Sequence, residues 1–372
     1  MSKTRFKKKV KDLLSGTDIT INGSNPWDIQ VHNEELFRRV LAEGSMGLGE
    51  SYMEGWWDVE QLDEFFHRIL RAKLDQKVKK LGDIYKIIKA KIFNFQKKSR
   101  AFEIGQHHYD IGNKLYRYML DDLMIYSCGY WKNAQNLNEA QRNKLDLICR
   151  KLQLEPGMRV LDIGCGWGGA AKYAAENYGV EMVGVTVSEE QIKLGREMCK
   201  GLPVELRLQD YRDLNESFDR IFSIGMFEHV GYKNYQTFMD VARRNLKDNG
   251  LLLLHCIGGN QTVYKTDPWI QKYIFPNSMI PSIKQVGKAI EGQFVMEDWH
   301  NFGQDYDTTL MNWFKNFKEH WDDLKQKYDD HFFRMWKYYL MVSAGSFRAR
   351  KNQLWQLLLS PYGMKKKFRV PH

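Results

Sequence analysis

Residues 160–169 read Val-Leu-Asp-Ile-Gly-Cys-Gly-Trp-Gly-Gly, an apolar strand that runs into a glycine-rich turn. At the carboxyl end of a parallel strand such a turn brings backbone amides close to a ligand, and Gly164 and Gly166 withhold the side chains that would keep it away. The chemistry indicated is the holding of a nucleotide-like cofactor. Asp162 belongs to the same turn, and Thr186 and Gln191 follow the next strand, where ribose hydroxyls of an adenosyl ligand would lie. Asp210 and Tyr211 follow the third strand, where a carboxylate and a ring can take an adenine's amino group and face. Two of these residues have a competing local use. Ser188-Glu189-Glu190-Gln191 has the spacing of a helix capping box, and Asp210 can simply begin a turn. Gly164, Gly166 and Gly169 formally satisfy G-x-G-x-x-G, but the second strand ends in Val185-Thr186-Val187-Ser188, without the acid that holds a nicotinamide ribose, which excludes a dinucleotide site.

A second group is harder to explain as architecture. The fourth strand ends in Gly225-Met226-Phe227-Glu228-His229 and the fifth in His255-Cys256-Ile257-Gly258, while Tyr126-Ser127-Cys128 lies upstream and Tyr306 downstream. Carboxyl ends of adjacent parallel strands open on one crevice, so Glu228 and His255 are candidates for proton or anion chemistry there. A hydrogen-bonded core histidine is the plainer alternative for His255.

The elements that position these residues alternate. Strands are expected at 159–163, 181–187, 204–208, 219–225 and 250–257, with helices at 168–178, 189–200 and 233–246, which predicts an α/β fold with a parallel sheet covered on both faces. Helices at 306–325 and 329–344 and a last strand at 353–359 follow a stretch around Asp267-Pro268-Trp269 that fits a covering insertion. Residues 1–75 predict a small α+β domain: short strands at 18–21 and 28–31, a helix from Asn33 to Ala42 and another within 59–72. Between the helices, 44–57 carries too many glycines for a helix interior and is expected to be a shaped loop. Trp56 and Trp57 can anchor a small core or enter a lipid headgroup layer. The expected division is thus 1–75, a basic helical linker at 76–104, and a catalytic domain at 105–372.

The net charge of +10 is concentrated: residues 71–100 hold eleven Lys or Arg against Asp75 and Asp83. Val78, Leu81, Tyr85, Ile88, Ile92 and Phe95 recur three and four apart, giving an amphipathic helix that can lie on anionic lipid or pack as a linker. No nucleic-acid module accompanies it, so no nucleic-acid partner is expected. No run of eighteen apolar residues occurs and no signal peptide opens the chain, which predicts a cytoplasmic protein. Cys128, Cys149, Cys165, Cys199 and Cys256 form no C-x-x-C pair and read as reduced thiols, with no metal site.

Taken together, several segments resemble one family. They are 47–57 (Gly-Leu-Gly-Glu-Ser-Tyr-Met-Glu-Gly-Trp-Trp), His108-Tyr109-Asp110-Ile111-Gly112-Asn113, Tyr126 to Trp131, Val160 to Gly169, Phe227 to Gly231, Asp267 to Ile270 and Glu297-Asp298-Trp299-His300. The D-x-G-C-G-x-G turn is the form common in adenosylmethionine-dependent methyltransferases, and the whole set is similar to the cyclopropane-fatty-acyl-phospholipid synthases. The resemblance implies a Rossmann-like class I methyltransferase domain that transfers a methylene from S-adenosylmethionine to a cis double bond in a phospholipid acyl chain, with bicarbonate bound. By resemblance, Cys128 and Ile257 present backbone amides, and Glu228, His255 and Tyr306 side chains, to the bicarbonate. Tyr126, Ser127, Gly164, Gly166, Thr186, Gln191 and Tyr211 resemble cofactor contacts. The implied logic is that alkene attack on the sulfonium methyl leaves a carbocation whose deprotonation by a held bicarbonate avoids alkylating a protein carboxylate. Some relatives carry cysteine where this chain has Ser343, so no thiol nucleophile is expected there. The implied partner is a phospholipid bilayer, met peripherally from the cytoplasmic side, and a homodimer is left open. Rival outcomes are a branched methyl fatty acid or methylation of a small-molecule amine.

Overall fold

In the computed structural model, which describes residues 3–77, 112–364 and 368–372, the chain divides into two compact units. The described parts of 1–93, 265–276 and 306–352 form one, and those of 94–264, 277–305 and 353–372 the other. The contiguous boundaries expected from sequence differ from this grouping, because two stretches late in the chain join the N-terminal residues. The basic segment beyond residue 77, the 108–111 part of the His-Tyr-Asp motif and Lys365-Lys366-Lys367 lie outside the described residues.

The first unit is mostly helical. A two-residue pair, β1 (Gln30–Val31) and β2 (Trp57–Asp58), runs antiparallel. The strand expected at 18–21 is reduced to a single bridge between Ile21 and Ile29, because the buried Asp28 carboxylate takes the Thr20 and Asn25 amides and turns the chain there. The expected loop at 44–57 is corrected: Ser45–Met53 is a helix. Its glycines serve close approach. A Cβ at Gly47 would stand 2.7 Å from the Arg39 carbonyl oxygen, and one at Gly49 would overlap the Trp269 indole. Packing thus overrides the low helix propensity of glycine, about 1 kcal/mol per residue. Trp57 is fully buried, its indole N–H donating to the Leu48 carbonyl, whereas Trp56 is half-buried under the Arg39 guanidinium. The helix Asp330–Arg348 lies against Leu62–Arg71, where a Cβ at Gly345 would come 2.7 Å from the Asp63 carbonyl oxygen. Arg348 ties Asp63, Glu64 and Asp307 at 2.7–3.1 Å.

The second unit is the expected α/β layer. Strands β3 (Arg159–Ile163), β4 (Glu181–Thr186), β5 (Val204–Leu208), β6 (Phe218–Ile224), β7 (Leu246–Gly259), β8 (Val295–Asn301) and β9 (Asn352–Ser360) form one sheet in the order β5-β4-β3-β6-β7-β9-β8. The five from β5 to β7 are parallel, and β8 runs antiparallel to β9. Successive residues face opposite layers: Leu161 and Ile163 pack with Phe227 and Phe238 on one side, Val160 with Ile148 and Ala171 on the other. Sequence periodicity missed β8 and the helices Leu137–Lys151 and Ile283–Ile290. The first of those helices had a readable start, since Asn136 caps the Glu139 amide, and it carries residues central to the site.

Candidate active site

The order of strands reverses around β3, which has β4 on one side and β6 on the other, so a crevice opens beyond their carboxyl ends. The glycine turn forms its floor. The Gly164 and Cys165 amides both donate to the Val185 carbonyl, at 2.9 and 3.0 Å, clipping the turn to the end of β4. Gly164, Gly166 and Gly168 have φ of 89°, 53° and 79°, a region costly for other residues. A Cβ at Gly164 would lie 2.6 Å from Met226, and one at Gly169 would overlap the Leu123 carbonyl oxygen. At Gly166 the direction is open: the nearest atom to such a Cβ is Gln191 Nε2, 3.9 Å away.

Gln191 borders that opening, with Thr186 bonded to it, and Asp210 and Tyr211 follow the neighbouring strand β5. Thr186 Oγ1 donates to Gln191 Oε1 at 2.9 Å, and Ser188 Oγ accepts the Gln191 amide. Only half of the capping box forms, therefore, and the Gln191 side chain turns to Thr186 instead of back to the cap. Asp210 does begin a turn: its carboxylate caps Tyr211–Asp213 and binds the Arg212 amide and guanidinium at 2.8–2.9 Å. Its oxygens are already engaged locally. The Tyr211 ring packs on Phe238 and is nearly buried, which pushes its phenol up to about 12.

The 121–131 segment passes above the turn. Asp121 accepts the Leu123 and Ile125 amides, fixing its bend, and Trp131 donates its amide to Asp305. Tyr126 lies against Tyr116, itself against Trp167 of the glycine turn. Ser127 is held twice from the helix Leu137–Lys151: Gln141 Nε2 donates to its carbonyl at 2.7 Å and Lys144 Nζ to its hydroxyl at 3.0 Å. Sequence reading passed over Lys144, a lysine with no exposed surface. Burial pulls its ammonium down to about 8, opposed by the fields of Asp121, Cys128 and Asp162. Burial likewise pushes Asp162 up to about 8 against the nearby Lys144, and its Oδ1 has no hydrogen-bond partner among the described residues. Cys128 is buried, its thiol directed to the Gly129 carbonyl.

The polar group at the ends of β6 and β7 is compact. Glu228 sits in the one-turn helix Phe227–Val230, which Gly231 ends at φ 75°. Its Oε1 accepts the Ile257 amide at 2.6 Å, while Oε2 is buried with no partner among the described residues. Burial lifts this carboxyl to about 7, opposed by the Ile257 amide. His255, two residues before Ile257 on β7, is 1% exposed, with Nδ1 3.3 Å from Gln356 Nε2 of β9. Its Nε2 is also buried and unpartnered among the described residues. Burial, with Lys144 and Lys151 adding to it, holds this imidazole neutral, well below the usual histidine range. Tyr306 belongs to the other compact unit, where its ring lies on Phe347 and Trp313.

A family model described as mycolic acid cyclopropane synthetase matches residues 96–357. The chain is 57% identical over 350 residues, 94% of its length and 92% of the relative's, to a cyclopropane-fatty-acyl-phospholipid synthase of Escherichia coli K12. Two solved structures are each 31% identical, covering 69% of this chain and 97% of theirs. They are the cyclopropane synthase MmaA2 from Mycobacterium tuberculosis, TM-score 0.66, and mycolic acid cyclopropane synthase CmaA1 complexed with SAH and CTAB, TM-score 0.64. Because that family model matches residues 96–357, well over half of the chain, the chain belongs to the mycolic acid cyclopropane synthetase family.

Proposed function

We propose that this chain is an adenosylmethionine-dependent enzyme that adds a methylene across the cis double bond of an unsaturated phospholipid acyl chain. The observation that carries the reading is the near full-length similarity to a relative named for that reaction, which extends through the N-terminal unit as well as the methyltransferase fold. Adenosylmethionine supplies the electrophilic methyl. The turn at Gly164 and Gly166 admits it, Thr186 and Gln191 orient its ribose, and Ser127, steadied by Lys144, lies along its approach. Asp210 contributes by holding Arg212 and shaping the turn that presents Tyr211. Positioning of this kind converts an encounter into an oriented reaction.

The donor set at β6 and β7 fits bicarbonate. Glu228 Oε2 is a buried acceptor and His255 Nε2 a buried ring nitrogen, both without partners among the described residues, and buried polar atoms are rarely left so. Bicarbonate held there would supply a small base. The Ile257 amide joins such a site only when Glu228 releases it. Cys128 completes the proposed set by resemblance. Phe302, buried and edge-on to the His255 ring, would help keep water from such a site.

The test is incubation with adenosylmethionine and vesicles of unsaturated phospholipid, followed by lipid mass spectrometry. One added CH2 with loss of the alkene signal supports the reading; methyl branching with retained unsaturation, or methylated amine, overturns it. Rigorous exclusion of carbonate should slow the reaction and its return restore it, while an indifferent rate removes bicarbonate from the site. We further propose peripheral work at the cytoplasmic membrane face, drawn by the basic residues of 71–100 and of the helix Lys3–Leu14. Among the described residues no helix is long and apolar enough to cross a membrane. Salt should release the protein from anionic vesicles, and salt-independent sedimentation would overturn the electrostatic attraction.

A further inference from the structure

One residue of β9 runs against its own strand. The sequence Leu354-Trp355-Gln356-Leu357-Leu358-Leu359 is buried throughout, and Gln356 has no exposed surface. Its Nε2 faces His255 Nδ1, and its Oε1 has no partner among the described residues. An unmet buried polar atom costs about 1–3 kcal/mol, so a leucine or methionine would serve the sheet better. The other neighbours of the imidazole are not alternatives for Nδ1: Phe302 meets the ring edge-on at 5.8 Å between centroids, and His300 and Tyr130 pack on Phe302 in turn.

The orientation of that amide decides what His255 is able to do. With the NH2 toward Nδ1, Nδ1 must accept, so the single proton of the neutral ring sits on Nε2 and points away as a donor. With the amide reversed, Oε1 would take an Nδ1 proton and leave Nε2 a lone pair, the form of a general base. The two arrangements are chemically opposite.

We propose that Gln356 is a positioning residue that locks His255 as its Nε2–H tautomer, making this histidine a hydrogen-bond donor to an oxyanion beside Glu228 and leaving the role of proton acceptor to that anion. The inference rests on the reading of Glu228 and His255 as an anion-holding pair. It also gives the polar residue in the apolar strand a reason. Gln356 acts through the imidazole and touches no reacting atom.

The test reads the tautomer directly. Nitrogen-15 histidine resonances of the full chain, without cofactor or lipid, are assigned at position 255 by their loss in His255→Gln. The expected result is a protonated Nε2 and an unprotonated Nδ1 in the wild type, a mixture of tautomers in Gln356→Leu, and a proton on Nδ1 in Gln356→Glu, whose carboxylate can only accept. Turnover of Gln356→Leu should fall about tenfold with adenosylmethionine affinity within about twofold, the pattern of a lost orienting partner. A wild-type proton on Nδ1, or an unchanged tautomer in the variants, overturns the proposal, and the wild-type spectrum can overturn it even if a variant does not fold. If the tautomer is as expected but carbonate has no effect on rate, the anion-holding reading fails while the role of Gln356 in setting the tautomer stands.

Discussion

Replacing Gly166 by alanine separates the cofactor role of the glycine turn from its structural role. The residue has φ 53°, where a side chain costs about 1–2 kcal/mol from its own backbone. Nothing else opposes the methyl, since Gln191 Nε2 at 3.9 Å is at ordinary contact distance. Gly166→Ala should therefore fold, with a midpoint about 1–3 °C lower. The open direction at Gly166 is where the bound cofactor is expected, so the same methyl overpacks the complex by about 1–3 kcal/mol and weakens adenosylmethionine roughly 10–100-fold. Calorimetry gives the affinity and thermal unfolding with and without ligand checks it. At a hundredfold excess over its dissociation constant, ligand stabilises the wild type by about 2.7 kcal/mol, of which the variant should lose about 1.3–2.3 kcal/mol at the same ligand concentration. Gly169→Ala serves as the contrast: its methyl strikes the Leu123 carbonyl, so it should lose stability before any ligand is added. A folded Gly166→Ala protein with wild-type affinity would refute the placement of the cofactor along this turn.

Three further outcomes are expected. Glu228 has its carboxyl lifted from 4.5 to about 7 by burial, so its stabilising contribution is full below about 4.5 and is lost as pH rises through about 7. Glu228→Gln abolishes this dependence and should gain up to about 3 kcal/mol on the wild type between pH 4 and 8; parallel urea midpoints across that range would contradict it. Lys144→Met leaves Asp162 buried beside no cation and Ser127 without its donor, costing about 3–5 kcal/mol, and Asp162→Asn added to it should recover part of the loss. Strict additivity in that double-mutant cycle would show the two groups to be uncoupled. Gly49→Ala forces a methyl into the Trp269 indole and should destabilise by about 1–3 kcal/mol, less when Trp269 is also leucine. An unchanged urea midpoint would mean that the helix Ser45–Met53 does not press on that ring.

The sequence by itself determined whatever rests on neighbours along the chain. The apolar runs of β3 to β6 and the glycines that end β3 were legible because strand periodicity and positive φ are local demands. So was the clustering of Glu228 and His255 at strand ends, which follows from βαβ connectivity. Asp210 lay within the same reach, since its partner Arg212 is two residues on. What only the tertiary structure decided are pairings across long separations. The helix Ser45–Met53 looks unhelical until Arg39 and Trp269 explain its glycines. Lys144 looks like a solvated helix charge until Ser127, Asp121 and Asp162 surround it. Gln356 and His255 are 101 residues apart, and nothing in either segment foretells that the amide of one meets the ring of the other. Burial is the physical reason: removing these groups from water turns their charge, tautomer and orientation into properties of their neighbours, and folding alone chooses those neighbours.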